Sequence, residues 1–483
     1  MKKRALSLLL VLMLVITMIP NTKVSAAESK IQNHNELQSM ATDQLYSNWA
    51  LSDLVVAQTY GIIPNTWFEK DLTVPISEAK LYVLNGGLRY KLLNTQCVKL
   101  EHEARYNLSS KLTVEEVMKF LYQTVTSYTY TKDLGLENNK AVSFMKENGI
   151  YTGKNGELKL KDICTIEQAT VIATRLVTKV YDLLDAASKG FLWEAKANGN
   201  TVYMLGSIHM ATNDIYPMSD KILAAYNSSD ALAVEVNLAD MAGAMALVSN
   251  AFYTDGSTLK DHVSKETYDK VIEVSSKFGI PEVQAALMKP WYIYISFTSL
   301  SMTESGSAED AASSANLGID VNFLTNAILD GKQILEVEGY AVQGKMLESF
   351  SPELAEYLVN ETLDTVKDSL EGKGNSNPEG LEAMLALWRA GDTENFRQYN
   401  SFEYQNKDMI EDGTTDAEMK LLREFYDKLF IQRNKTMTEY IETLLKSEGN
   451  RTYFVIVGSG HYLGDSDIIE LLTKKGYELK QIK

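Results

Sequence analysis

GNTVYMLGSIHMATN (199–213) returns near the end of the chain as GNRTYFVIVGSGHYLGD (449–465). Both begin with Gly-Asn, run through apolar β-formers and close on G-S-x-H. The chain holds 28 glycines and 5 histidines in 483 residues. Composition alone then yields about 0.3 histidines with a glycine three positions earlier, so two of them in one phrase point to a device used twice. Gly-Asn is a turn signal, the apolar run reads as a strand, and the following glycine breaks it. His209 and His461 are thus expected just past the carboxyl ends of strands, where α/β sheets gather ligand and catalytic groups.

Working outward, strand-like and helical runs alternate from near Phe191 onward. They are TVYMLG, a helix over 219–228, ALAVEVN, helices through Leu300, GKQILEVEG, helices through Leu445, TYFVIVG, a helix from Asp467, and GYELKQI. This predicts an α/β domain over 191–483 with a central mixed β-sheet flanked by helices. EGKGNSNPEG (371–380) reads as a loop within it. Residues 45–188 read instead as a small helical accessory domain with a weak repeat. AQTYGIIP…DLTVPISEAKLYVLNGGLRY is echoed by VSFMKENGIY…KLKDICTIEQATVIATRLVTKVY, with Ala79 and Ala169 in register. The unit resembles S-layer homology repeats, which in other exported bacterial proteins bind cell-wall polymers. Two copies are visible, and the I-T-R-A-E signature has become PISEA and TIEQA, without its arginine.

Residues 1–26 read as an export signal: Lys2, Lys3 and Arg4 precede the apolar run 5–19, Pro20 breaks it, and Val24-Ser25-Ala26 offers a small-residue cleavage site. Residues 27–44 read as a linker. The expected location is therefore secreted, extracellular or cell-wall associated, with no transmembrane segment in the mature chain. A formal net charge of −17 argues against nucleic acid or an anionic membrane as partner. Cys97 and Cys164 are able to pair after export, and they are too few to build a thiolate metal site.

Four further positions complete the candidate chemistry. Neutral imidazole is the commonest metal ligand, so His209 and His461 on neighbouring strands would converge on an ion. Glu235 ends the apolar strand SDALAVEVN, where a buried carboxylate needs a cation. In KQILEVEGY, Glu336 and Glu338 share one face, one suited to solvent and the other to function. Arg433 sits on the apolar stripe Leu422, Phe425, Leu429, Met437, Ile441 and Leu444 of one long helix. A guanidinium there pairs with a carboxylate or meets an oxyanion.

The ordered set G-S-I-H, YPM at Tyr216, AVEVN, TLKDHVS at Thr258, KPW at Lys289, GID at Gly318, ILEVE, QRN and the final G-S-G-H resembles the TraB/GumN family. That family includes the Tiki-type metalloproteases, and the ChaN-like and erythromycin-esterase-like folds are its relatives. The resemblance covers about 191–483. It implies a metal-dependent hydrolase, a peptidase first of all, acting on a peptide or protein substrate. His209, His461 and one or both of Glu235 and Glu338 would hold a divalent ion (zinc, manganese, cobalt or iron), a glutamate not bound to it, Glu235 by preference, would serve as base, and Arg433 would face the oxyanion. After the last histidine, YLGDSD stands where relatives often carry Leu and a later Gly, which leaves the rim of the site open. Two alternatives stay open: a haem- or peptide-binding protein of the same fold without turnover, and a wall-associated scaffold using the N-terminal region to bind cell-wall polymer.

Overall fold

The computed structural model describes residues 45–95, 98–100, 108–301, 308–371, 378–407, 410 and 414–483. The export signal and linker expected over 1–44, and Cys97, lie outside the described residues. Contacts divide the chain into two compact units. One holds Lys189–Thr212 and Lys221–Lys483, and the other holds the described residues up to Ser188 together with Asn213–Asp220. The segment 213–220, which the sequence places inside the α/β domain, therefore packs with the N-terminal helices.

In the N-terminal unit the helices Glu78–Leu93, Val114–Thr126 and Ile166–Leu184 each start on a Ser or Thr. Ser77, Thr113 and Thr165 accept a backbone N–H of the first turn, and the last two form full capping boxes with Glu116 and Gln168. Each helix then buries an apolar face, such as Leu81, Leu84 and Leu88 or Leu176, Val177 and Val180. The residues ahead of the caps are stitched together: Ile76 N–H donates to the Cys164 carbonyl and Cys164 N–H to that of Leu112, both at 2.9 Å. The repeat visible in the sequence has two copies, whereas the capped-helix unit occurs three times among the described residues. Cys164 is buried, and burial pushes its thiol up to about 12. Two short strands, β1 (Val98–Leu100) and β2 (Tyr128–Tyr130), pair antiparallel beside these helices.

The other unit is built on a six-stranded mixed sheet: β3 (Phe191–Ala197), β4 (Asn200–Ser207), β5 (Ala231–Val234), β6 (Gln333–Glu336), β7 (Thr452–Gly458) and β8 (Leu479–Ile482), in the order β6-β5-β7-β4-β3-β8. The first four strands in that order run parallel, while β3 is antiparallel to both β4 and β8. β5 is buried along its whole length and β7 beyond its first residue, as expected of strands covered by helices on both faces. The fold is thus α/β, as its alternation of strands and helices implies. β3 is not among the strands expected from the sequence. It is half of a hairpin whose turn residues Asn198 and Gly199 both take positive φ (51° and 82°), the pairing a two-residue turn demands.

The two Gly-Asn phrases start side by side. Asn200 receives the Arg451 N–H at 2.7 Å, and Thr201 N–H donates to the Arg451 carbonyl at 2.9 Å. From there β4 and β7 run in parallel register, Thr201 against Thr452 through Ser207 against Gly458. Trp388, fully buried, donates its Nε1–H to the Gly206 carbonyl at 2.7 Å and holds the end of β4. The one long helix expected around Arg433 is three pieces in succession: Asp416–Tyr426, a π-helical turn Asp427–Ile431, and Gln432–Lys446. No described helix is long and apolar enough to cross a membrane.

Candidate functional site

The four parallel strands each deliver one polar side chain within three residues of their carboxyl ends. β4 ends at Ser207 and leads to His209, β5 at Val234 and leads to Glu235, β6 at Glu336 and leads to Glu338, and β7 at Gly458 and leads to His461. Backbone bonds lock the glutamates side by side, with the N–H groups of Glu338 and Gly339 donating to the Glu235 carbonyl at 3.1 and 3.0 Å. Glu336 is exposed and accepts the Asn237 N–H at 2.9 Å, so the two glutamates of ILEVE divide between surface and interior.

The histidines are oriented through their Nδ1 atoms. His209 Nδ1 meets Asp320 Oδ2 at 2.6 Å, and His461 Nδ1 meets Asn434 Oδ1 at 2.7 Å. An acceptor on Nδ1 fixes that nitrogen as the donor and turns the Nε2 lone pair the other way. Both Nε2 atoms are buried without a hydrogen-bond partner, with the residues 5% and 0% exposed. Gly458 marks the space they share. A Cβ on it would lie 3.4 Å from His209 Nε2, 3.6 Å from His461 Cδ2 and 3.8 Å from Glu235 Oε2. Gly318 serves the approach of a neighbouring helix instead. A Cβ there would meet the His209 carbonyl at 2.4 Å, so only glycine lets the helix Ile319–Asp330 bring Asp320 up to the ring.

Arg433 reaches the same place from the helix Gln432–Lys446. Its Nε donates to Glu338 Oε1 at 2.9 Å and Nη2 to Glu338 Oε2 at 2.7 Å, a forked pair. Nη2 also donates to Glu235 Oε1, and Nη1 to the Leu429 carbonyl at 3.3 Å. The guanidinium is 4% exposed. Glu235 accepts further from Gln343 Nε2 at 2.8 Å and from the Gly458 N–H at 3.1 Å, the latter through Oε2. That oxygen lies 4.0 Å from His209 Nε2. The stripe predicted around Arg433 is buried throughout.

The electrostatics separate the two rings. For His461, burial, then Arg433 and His209, holds the pKa well below 6.5, so the ring is neutral. For His209, burial alone would lower the pKa, but the charge and hydrogen bond of Asp320 and the charge of Glu235 outweigh it and leave the value raised. For Arg433, burial works against the charge, and Glu338 and Glu235 together more than restore it.

All of His209, Glu235, Glu338, Arg433 and His461 therefore belong to one connected cluster. Asp320, Asn434 and Gln343 also belong to it, and sequence reasoning assigns them no role. Asp320 and Asn434 stand inside GID and QRN. A polar residue next to Arg433 on a core-facing helix is the available signal for Asn434. Among the described residues, no group of three or more His, Cys, Asp or Glu side chains is already gathered around one metal-sized point. The donor set still suits a divalent ion. It offers two buried imidazole nitrogens without partners and a carboxylate beside one of them, around a space kept clear by a glycine.

Comparison with known proteins gives this site its context. The TraB/PrgY/gumN family model matches residues 191–481, and the chain belongs to that family. A Metalloprotease TIKI homolog of Amphimedon queenslandica is 21% identical over 324 residues, 62% of this chain and 62% of its own. Metalloprotease TIKI1 of Danio rerio is 21% identical over 312 residues, 60% of this chain and 62% of its own. The Uncharacterized protein YbaP of Escherichia coli (strain K12) is 23% identical over 270 residues, 56% and 87% of the two chains. The chain thus spans less than two thirds of the length of these two TIKI relatives. No solved structure matches significantly. The family model does not reach the N-terminal helices, and their S-layer-homology resemblance gains no support from these matches.

Proposed function

We propose that the protein is a divalent-metal-dependent hydrolase, and within that class a peptidase. The observation that carries the reading is the pair of buried, partnerless Nε2 atoms of His209 and His461, each imidazole turned by an acceptor on its Nδ1. His209 and His461 would hold the ion beside Glu235, and when bound it supplies an acidified water and polarises a carbonyl. Glu338 gives both its oxygens to Arg433, so its place is beside that arginine and not in the ligand set. Arg433 in turn orients both carboxylates. Its Nη1 carries a second N–H beyond the one given to Leu429, and this is the donor that a developing oxyanion would meet. Glu235 is the proton acceptor. Its Oε2 faces the histidine side, while Oε1 is held by Arg433 and Gln343. The TIKI relatives, metalloproteases by name, support the peptidase reading. The export expected from residues 1–26 belongs with it.

Elemental analysis and circular dichroism of His209→Ala and His461→Ala test the reading. Each variant should stay folded and lose tightly bound divalent metal, and chelation of the parent should abolish cleavage of a peptide library. Undiminished metal in both folded variants would sink it.

A further inference from the structure

Ser207 closes β4 with a side chain 2% exposed, and its hydroxyl has no hydrogen-bond partner in the protein. Buried hydroxyls are ordinarily satisfied by protein groups or ordered water, so the direction of this one carries information. In the parallel register of β4 and β7, Ser207 stands opposite Gly458. Residues paired across neighbouring strands project from the same face of the sheet, about 4.8 Å apart. The direction of Gly458 is given by its surroundings: a Cβ on it would lie 3.4 Å from His209 Nε2, 3.6 Å from His461 Cδ2 and 3.8 Å from Glu235 Oε2. Ser207 therefore faces the space that the two imidazoles share. It does so from the flank opposite Glu235, because β7 lies between β5 and β4.

The serine of the second phrase faces the other way. A Cβ on Gly206 would meet Ser459 Oγ at 2.8 Å and Ser459 Cα at 3.1 Å, and Gly206, adjacent to Ser207 in the strand, presents the opposite face. Trp193 belongs to that same face through its pairing with Met204, and its ring centre lies 5.7 Å from that of Tyr462. The G-S-x-H phrase thus occurs twice, and only its first serine looks into the site. We infer that Ser207 is a third polar contact of this site: its hydroxyl accepts a hydrogen bond from the water held between His209 and His461. This role rests on the proposed metal-hydrolase reading. Such a water has two O–H bonds to give. Glu235 Oε2 faces one from the β5 flank and takes its proton, and a lone pair of Ser207 Oγ receives the other from the β4 flank. The water is then oriented before any substrate arrives.

The test places a thiol at each serine of the full-length chain and reads cobalt(II) absorption against the parent, whose own two cysteines set the baseline. Thiolate is a strong ligand beside imidazole. Ser207→Cys should therefore add a sulfur-to-cobalt charge-transfer band in the near ultraviolet, and Ser459→Cys should not. In zinc titrations Ser207→Ala should bind about tenfold more weakly, as when an outer support of a metal site is removed, while Ser459→Ala binds as the parent does. No band in a folded Ser207→Cys, equal bands in both thiol variants, or parental zinc affinity in Ser207→Ala overturns the inference. If the parent binds neither ion, the hydrolase reading fails; a cobalt band in Ser207→Cys then still upholds the placement of Ser207 in the site, and its absence overturns both. If Ser207→Cys does not fold, zinc affinity in Ser207→Ala decides.

Discussion

His209 leaves β4 two residues after Ser207 and leans on a carboxylate, Asp320. His461 leaves β7 three residues after Gly458, inside the helical turn Ser459–Tyr462, and leans on a neutral amide, Asn434. The phrase is shared, yet the strands pair with Ser207 opposite Gly458, one position off the alignment of the two G-S-x-H motifs. One ring is drawn toward protonation and the other away from it. A duplicated phrase thus specifies where a ring sits, and the neighbour at its Nδ1 decides what the ring is.

The largest effect is expected from removing the cation that Glu235 and Glu338 share. Arg433→Met leaves Glu235 and Glu338 buried without a counter-charge, and stability should drop on the order of 3–5 kcal/mol in denaturant unfolding. Arg433→Lys should lose less, since it keeps the charge but not the fork. A near-parental midpoint for Arg433→Met would mean that the carboxylates find another partner.

Gly458→Ala acts where His209, Glu235 and His461 come together. Its methyl would make ordinary contacts of 3.4–3.8 Å with His209, Glu235 and His461, and the backbone at φ −51°, ψ 138° accepts any residue. Stability should change by under about 1 kcal/mol while metal binding is lost. Thermal melts alongside metal titration check both halves.

The pH dependence of the metal-free protein should carry opposite signs from the two rings. His209, with its pKa raised above 6.5, contributes stability that is full below 6.5 and is lost as pH rises through the folded value. His461, with its pKa lowered, contributes stability present above 6.5 and lost as pH falls toward its folded value. Asp320→Asn should flatten the alkaline limb of melting temperature against pH, and His461→Gln the acid limb. If either change flattens the other limb, the assignment is reversed.

The smallest effect is expected at the paired serines. Ser207 and Ser459 have buried hydroxyls without partners, so Ser207→Ala and Ser459→Ala remove no hydrogen bond. Each should move stability by less than about 1 kcal/mol in either direction, read from urea midpoints.

The sheet and the five charged or imidazole positions are legible in the sequence because a strand ended by glycine and a guanidinium on an apolar stripe are both local patterns. What stays hidden is relational. Asp320 sits in the first turn of its helix, where an acidic residue ordinarily answers only the helix dipole, and nothing in GID says that a histidine 111 positions away needs it. The strand β3 escapes because FLWEAKA lacks clean alternation, although the Asn-Gly after it announces the hairpin. The third capped helix of the N-terminal unit, LTVEEV, carries its capping box in plain view but falls outside the repeat's spacing. Segment 213–220 changes units without any break in composition, which no window of sequence detects.

The π-helical turn Asp427–Ile431 lies immediately before Arg433 and Asn434, and Arg433 Nη1 binds the Leu429 carbonyl within it. The wide turn absorbs one extra residue: were the same residues wound as regular α-helix, everything after them would rotate by about 100°. Both residues would swing off the cluster together, taking the support of His461 and the counter-ion of both glutamates in a single step. The winding of this one turn therefore sets the register of both residues at once.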